Sequence, residues 1–210
     1  VHLLLTDRLT CPRCGPAFGL ILLADRMNDR RVVDGLLGCP NCRDGFPVRE
    51  GFGDLRAPPR TEASPTGRAG PPADVDETEA HRLMALIGVA EGPGTLLLAG
   101  APARYAGWIA RAVEGVEVMA LDPDLAAWPE TPRVSRLMAR PGIPVFDRTL
   151  RGVAVDGALG SRWIREAARV VAPLGRVVVT EAPADAQAAL LGAGLKVLAA
   201  EDGTVVAARG

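Results

Sequence analysis

The stretch Trp163–Thr180, WIREAARVVAPLGRVVVT, reads in one pass as helix, turn and strand. An amphipathic helix over Trp163 to Val171 gives way at Ala172-Pro173-Leu174-Gly175, where proline cannot continue a helix and glycine permits a sharp turn. The β-branched run that follows, Arg176 to Thr180, suits a buried strand. Working outward, the same alternation recurs on both sides. Upstream, a helical face (Leu83, Leu86, Ile87, Ala90) starts after Asp74 or Asp76 as N-cap. Gly92-Pro93-Gly94 then leads into a strand at Thr95–Leu98, a helix at Tyr105–Val113 and a second strand at Val116–Leu121 ending in Asp122-Pro123-Asp124. A further strand lies at Val153–Val155. Downstream come a helix at Asp185–Leu191 and two strands, Leu195–Ala199 and Thr204–Ala207, that can pair as a hairpin. Strands alternating with helices predict an α/β fold: an open, doubly wound parallel sheet with helices on both faces and any ligand at the carboxyl ends of its strands.

The first 56 residues follow another logic. They hold all four cysteines, as Cys11-Pro-Arg-Cys14 and Cys39-Pro-Asn-Cys42, and three of the four phenylalanines. Each C-x-x-C turn sets two thiolates on one side of a tight loop, and two turns complete a tetrahedron around Zn²⁺. The 24 residues between them (15 to 38) are enough for a hairpin, with apolar runs at Phe18–Leu23 and Val32–Leu37 that read as two strands or a helix and a strand. Leu4, Leu5 and Leu9 fit one helical face ahead of the first pair. A redox C-x-x-C belongs beside a βαβ pattern, which is lacking here, and disulfides call for secretion, for which there is no signal. The expectation is a structural zinc site on Cys11, Cys14, Cys39 and Cys42 that supplies much of the folding free energy of this small segment.

Ala57 to Ala73, APPRTEASPTGRAGPPA, has no apolar residue larger than alanine apart from proline and reads as a flexible linker. This gives three parts: a zinc domain over 1–56, a linker over 57–73 and the α/β domain over 74–210. A net charge of −1 argues against nucleic acid as the partner. The apolar start, Val1–Leu5, is too short for a signal peptide or a membrane span, and thiol ligands fit a reducing compartment, so the cytoplasm is expected.

Two family resemblances follow from particular residues. The order of leucines, Cys-Pro-x-Cys, Cys-Pro-x-Cys, then Phe46-Pro47-Val48 and Gly51-Phe52 resembles the zinc-ribbon family of methyltransferase activator subunits, with Gly53 in place of that family's closing proline. It implies a ribbon that binds and stabilises a partner methyltransferase, often one acting on tRNA, rRNA or a translation factor. The second half resembles class I S-adenosylmethionine-dependent methyltransferases, a Rossmann-like fold. The match is sharpest at Glu166-Ala-Ala-Arg169-Val-Val-Ala-Pro173-Leu-Gly175-Arg176 and continues at Ala193-Gly194-Leu195.

The resemblance weakens where that family holds its cofactor. The glycine-rich loop that lets backbone approach the cofactor's methionine moiety aligns with Leu97-Leu98-Ala99-Gly100-Ala101-Pro102-Ala103, in which Gly100 is the remaining glycine and Leu97 replaces an acid. Asp122 stands where the family holds the ribose hydroxyls, or is an ordinary turn aspartate before Pro123. Met138 falls on the adenine-reading acid, and Arg151 replaces a further aspartate. Asp156 is the remaining acid at a strand end. His81 reads as a surface or packing residue, and Tyr105, Trp108, Trp128 and Trp163 as core.

Two functions stand against each other. One is a non-catalytic binding or activator module, a pseudoenzyme serving a methyltransferase or a translation-associated complex. The other is an active S-adenosylmethionine-dependent methyltransferase whose ribbon serves it in cis.

Overall fold

The computed structural model describes residues 1–60 and 75–210. The expected linker falls mostly, and Asp74 wholly, outside the described residues. The N-terminal part comprises α1 (Leu3–Thr6), β1 (Thr10–Cys11), β2 (Gly15–Gly19), β3 (Ile21–Asn28), β4 (Arg31–Gly38), β5 (Gly45–Arg49) and β6 (Phe52–Arg56). There follow α2 (Glu77–Ile87), β7 (Gly94–Ala99), α3 (Ala106–Ala112), β8 (Val116–Leu121), β9 (Val134–Arg140), β10 (Leu150–Asp156), α4 (Ser161–Val170), β11 (Val171–Thr180), α5 (Ala186–Gly192), β12 (Leu195–Glu201) and β13 (Thr204–Arg209).

Among the described residues, eleven strands form one sheet in the order β12-β13-β11-β10-β7-β8-β9-β6-β5-β4-β3. Its centre, β11-β10-β7-β8-β9-β6, is parallel; both flanks are antiparallel. The chain winds outward from β7 through β8 to β9, then returns to the other side of β7 with β10. The β7/β10 boundary is therefore the topological switch point, where open α/β sheets hold ligands.

Local chemistry accounts for these elements. Asp76 caps α2 by accepting from the backbone N–H of Thr78 and Glu79, and Gly88 ends it in the left-handed region at φ 72°. In α4, Ile164, Ala167 and Ala168 are fully buried while Arg162 and Arg165 face out. Thr95 to Ala99 are all buried, as a central parallel strand covered on both faces requires. The turn read at Ala172–Gly175 is a bulge within β11. Leu150 pairs with Val171 but Gly152 with Arg176, so the intervening residues loop out and Leu174 is 87% exposed at φ 64°. A Cβ at Gly175 would stand 2.7 Å from the carbonyl oxygen of Arg151 on the neighbouring strand.

The N-terminal strands are built onto the same sheet. β6 pairs in parallel with β9, Phe52 with Arg136 through Arg56 with Arg140. On the other side, Leu9 bridges to Val145 and the Thr10 N–H donates to the Pro144 carbonyl at 2.9 Å. Arg169 secures that segment, donating to the carbonyls of Val145 (2.8 Å) and Ile143 (2.7 Å). Leu5, Leu9, Phe46 and Leu55 belong to the same apolar cluster as Leu97, Val153 and Ile164.

Three expectations need correction. The leucine-rich start forms a helix of only four residues; Leu5 and Leu9 are buried, Leu9 through a strand bridge, while Leu4 is 59% exposed. The insert between the cysteine pairs carries three strands, β2, β3 and β4. The segment around Leu137–Arg140, for which no strand is expected, is the end of β9, where Arg136 and Arg140 break up the apolar pattern. The hairpin of β12 and β13 is present.

Leu55 is fully buried between the two parts of the sheet. Leu55→Ala is expected to lower unfolding stability by about 2–5 kcal/mol in urea denaturation, the range for truncating a core leucine.

Candidate functional site

Two places bring the anticipated residues together. The first is the cysteine cluster. Cys11 and Cys14 flank the turn after β1; Cys39 and Cys42 form the turn that closes the β4–β5 hairpin. The backbone N–H of Cys14 donates to Cys11 Sγ at 3.3 Å, and that of Cys39 to the Asp44 carbonyl at 2.9 Å. All four sulfurs lie within 4.8 Å of one another, with Cys11–Cys42 at 3.7 Å and Cys14–Cys39 at 3.9 Å. A tetrahedron of sulfurs about 2.3 Å from a Zn²⁺ ion has edges of about 3.8 Å, so the donor set fits a four-thiolate metal. Burial, together with hydrogen bonds from the other thiols, pushes Cys42 up to about 12. Burial also acts upward on Cys39, but backbone N–H donors and neighbouring thiols bring it down to about 7. Four thiols this close cannot all ionise without a cation among them, and a divalent ion removes the conflict. Four protein thiols would fill all four positions of a tetrahedral ion. The Asn41 amide donates to Cys14 Sγ (3.3 Å), and Asp44 accepts from Cys42 (3.4 Å) while paired with Arg13 (2.9 Å).

The second place is the switch point. Gly100 follows β7 at φ 71°, and Ala101–Tyr105 make a 3-10 turn. Opposite stands Asp156 at the end of β10. Its Oδ2 accepts from the Ala101 N–H at 3.2 Å and its Oδ1 from the Ala158 N–H at 2.9 Å. A Cβ built on Gly100 would lie 2.7 Å from Asp156 Cβ and 3.2 Å from Leu159 Cδ1. The bare backbone at Gly100 thus receives the chain's own side chains. Ala103 and Pro102 are buried beneath the turn. A cavity beside it, reaching Ala101, Pro102, Tyr105 and Thr180, measures about 170 Å³, below the roughly 300–1,000 Å³ of ordinary small-molecule sites. The residues at this loop do not fit the methionine moiety of S-adenosylmethionine as they stand.

The other candidates separate clearly. Asp122 ends β8 and caps the 3-10 turn Pro123–Ala127, accepting from the Asp124 N–H at 2.9 Å. It faces the carboxyl side of the sheet, and its cap role matches the turn-aspartate reading. Leu97 is fully buried in the core. Met138 lies on β9 opposite Asp54, partly buried. Arg151 sits at the opposite end of the sheet, donating to the carbonyls of Glu91 (2.8 Å) and Pro93 (3.0 Å), so its replacement of an acid takes nothing from the ligand side. His81 is exposed and packs edge-on against Trp108 with ring centroids 4.3 Å apart. Tyr105, Trp108, Trp128 and Trp163 pack against the core clusters.

Sequence reasoning missed Arg136. It is only 4% exposed and donates to the carbonyls of Leu125 (3.2 Å), Trp128 and Glu50 (2.6 Å). The signal available was a lone arginine amid Val134, Ser135, Leu137 and Met138, legible only once that run is known to be a strand.

No family model matches this sequence, and no curated protein matches it either. Solved structures do match in fold. Precorrin-6y C5,15-methyltransferase from Geobacter metallireducens is 13% identical with a TM-score of 0.51, covering 70% of this chain and 94% of that one. A geranyl diphosphate methyltransferase in complex with SAM is 12% identical with a TM-score of 0.50, covering 65% and 86%. A chain from a complex of the Haloferax volcanii Trm112 methyltransferase activator and a protein assigned as a methyltransferase is 18% identical with a TM-score of 0.46, covering 57% and 69%. At these identities the likeness is one of fold: this chain is built as an α/β sheet of the methyltransferase, Rossmann-like kind, with a four-cysteine cluster near its N-terminus. Among the described residues no helix is long and apolar enough to cross a membrane.

Two outcomes follow. Elemental analysis is expected to give one metal ion per chain, released as pH falls because protonation removes the thiolate ligands, and lost in Cys39→Ser. Restoring the missing acid with Leu97→Asp is expected to destabilise the protein in denaturant melts, because it buries an unpaired carboxylate, without conferring cofactor binding.

Proposed function

We propose that this chain is a non-catalytic, methyltransferase-like binding module: a zinc-loaded ribbon docked in cis on a Rossmann-like sheet, in a reducing, cytoplasmic setting. The observation that carries this reading is Asp156 on Gly100 and Ala101. In a working cofactor loop, bare backbone and free N–H groups wait for a ligand; here a carboxylate takes the Ala101 N–H, and Leu159 covers the glycine. The alanines around Gly100 and the buried Leu97 agree with a loop no longer shaped by a cofactor.

The ribbon supports the same picture from its own side. Sulfur spacings near 3.8 Å favour Zn²⁺ as the metal. The β6 edge, with which an activator ribbon would meet a separate methyltransferase, is joined to β9 of its own chain. The activator relationship is therefore internal, and a partner such as a methyltransferase or a translation-associated protein has to be met by another surface. The outer strand β3 offers Ile21 and Leu23, both more than half exposed.

One observation favours the second reading, an active enzyme with its activator fused in cis. Asp122 stands at the carboxyl end of β8, next to the switch-point strand, where the class I resemblance puts the ribose-holding acid.

Calorimetric titration of the zinc-loaded protein with S-adenosylmethionine and S-adenosylhomocysteine decides between them. No heat of binding up to millimolar cofactor is the expected result. Micromolar binding that disappears in Asp122→Ala would sink the non-catalytic reading and establish the second. Should binding emerge only in Asp156→Ala, the carboxylate on the loop is what excludes the cofactor.

A further inference from the structure

The cavity beside the Gly100 turn is smaller than ordinary small-molecule sites, yet four separate elements of the fold wall it in. Its floor is the end of the β11–β13 ladder, where Thr180 and Thr204 follow the pair Val179–Val205. Leu83 and Leu86 of α2 form one wall, and Pro102 and Tyr105 of the 3-10 turn form another. Each wall is anchored. Asp76 caps α2 and Gly88 stops it, while Asp156 holds the turn at the Ala101 N–H. Thr204 is 8% exposed and Leu83 5%, and Pro102 is buried, so the space is set by packed residues.

Size, floor and mouth each constrain an occupant. The volume of about 170 Å³ suits a single ring, since an apolar cavity of about 150 Å³ takes up benzene. Thr180 Oγ1 is shielded from solvent and has no hydrogen-bond partner among the described residues. A hydroxyl in that state costs stability that a ligand can return. A staggered step of χ1 exchanges the threonine hydroxyl with its methyl group, so a ligand atom that donates or accepts can draw it into the cavity. At the mouth stand Glu79, Arg82, Arg104 and Glu181, all exposed, two charges of each sign. Arg82 pairs with Glu79 at 3.5 Å, and the Arg104 guanidinium lies over the Tyr105 ring, 5.7 Å from its centroid. A rim that sums to zero draws neither anions nor cations.

We propose that this cavity is a binding site for an uncharged single-ring phenol. The ring lies between α2 and the 3-10 turn, and the phenol hydroxyl bonds Thr180 Oγ1 at the floor. A rigid ring gives up little conformational freedom on entry. Its hydroxyl both donates and accepts, which suits a threonine with no fixed partner. The site lies on the β11–β13 side of the switch point, with β10 and β7 between it and β8, the strand that ends at Asp122. Its occupation does not depend on a cofactor at Asp122, and a titration without S-adenosylmethionine lets the two readings fail separately.

The test is a titration of the full, metal-loaded chain with phenol, followed by two-dimensional amide NMR. Saturable shifts are expected at Leu83, Leu86, Tyr105 and Glu181, with the amides of β3 unmoved. Phenol is expected to bind about ten-fold tighter than benzene, and Thr180→Val to remove that preference while leaving benzene affinity as it was. Leu86→Trp, which fills the cavity from a half-buried position on α2, is expected to abolish binding of both. Para-hydroxybenzoate, the same ring with a negative charge, is expected to bind more weakly than phenol. Shifts that do not saturate or that fall elsewhere overturn the proposal, as does equal affinity for phenol and benzene. So does a phenol preference that survives in Thr180→Val, phenol binding unchanged in Leu86→Trp, or tighter binding of para-hydroxybenzoate. If Thr180→Val fails to fold, the ratio of phenol to benzene affinity in the unaltered chain decides.

Discussion

The parallel ladder between β6 and β9 is the constraint on which the rest of the architecture turns. The four-cysteine N-terminal part and the doubly wound sheet each have apolar surface to bury, and each on its own would leave an open edge. Here five residue pairs, Phe52–Arg136 to Arg56–Arg140, join the two edges, and the N-terminal antiparallel strands become the flank of a single sheet, eleven-stranded among the described residues. Removing that edge from solvent also removes its capacity to template other strands. The shared core follows from it: Phe46 and Leu55, with Leu5, Leu9, Leu37 and Val48, lie in one apolar cluster with residues of the larger part.

Given that junction, the polar contacts around it make sense as fasteners on opposite faces. Arg169 ties the Ile143–Val145 segment, to which Leu9 and Thr10 are hydrogen-bonded, against α4. Arg136 ties the β5–β6 turn to the segment after β8. Both are arginines whose partners include backbone carbonyls, and charge-assisted bonds of this kind are stronger and more directional than neutral ones. Arginine outnumbers lysine 23 to 1 in this chain. At these two positions the planar, five-donor fork is what the geometry uses.

Much of the fold was legible in the sequence because local signals agree with it. Asp76 caps α2 as read, α4 is followed by a strand as its pattern suggests, and the final hairpin pairs as its alternation suggests. The cysteine cluster was legible from spacing alone. Illegible were the features created by long-range pairing. β9 is interrupted by Arg136, which makes sense only once its carbonyl partners are in place. The role of Asp156 depends on Ala101, fifty-five positions away in the chain. The apolar face expected for Leu4, Leu5 and Leu9 split because Leu9 joins a strand bridge to Val145 rather than a helix.

The ladder between β6 and β9 also has a temporal side. Ribosomes deliver the chain from its amino end, so Phe52–Arg56 emerges some eighty residues before Val134–Arg140 does. Throughout that interval the four thiols are present and able to take up metal, while the strand edge and the inner face of Phe46 have nothing to cover them. Contacts this distant in sequence form late and leave intermediates open to wrong pairings. The nascent N-terminal part is therefore the stage of this protein's life at which a holding chaperone, or a strand from a neighbouring polysome-bound copy, has its best opportunity to intervene.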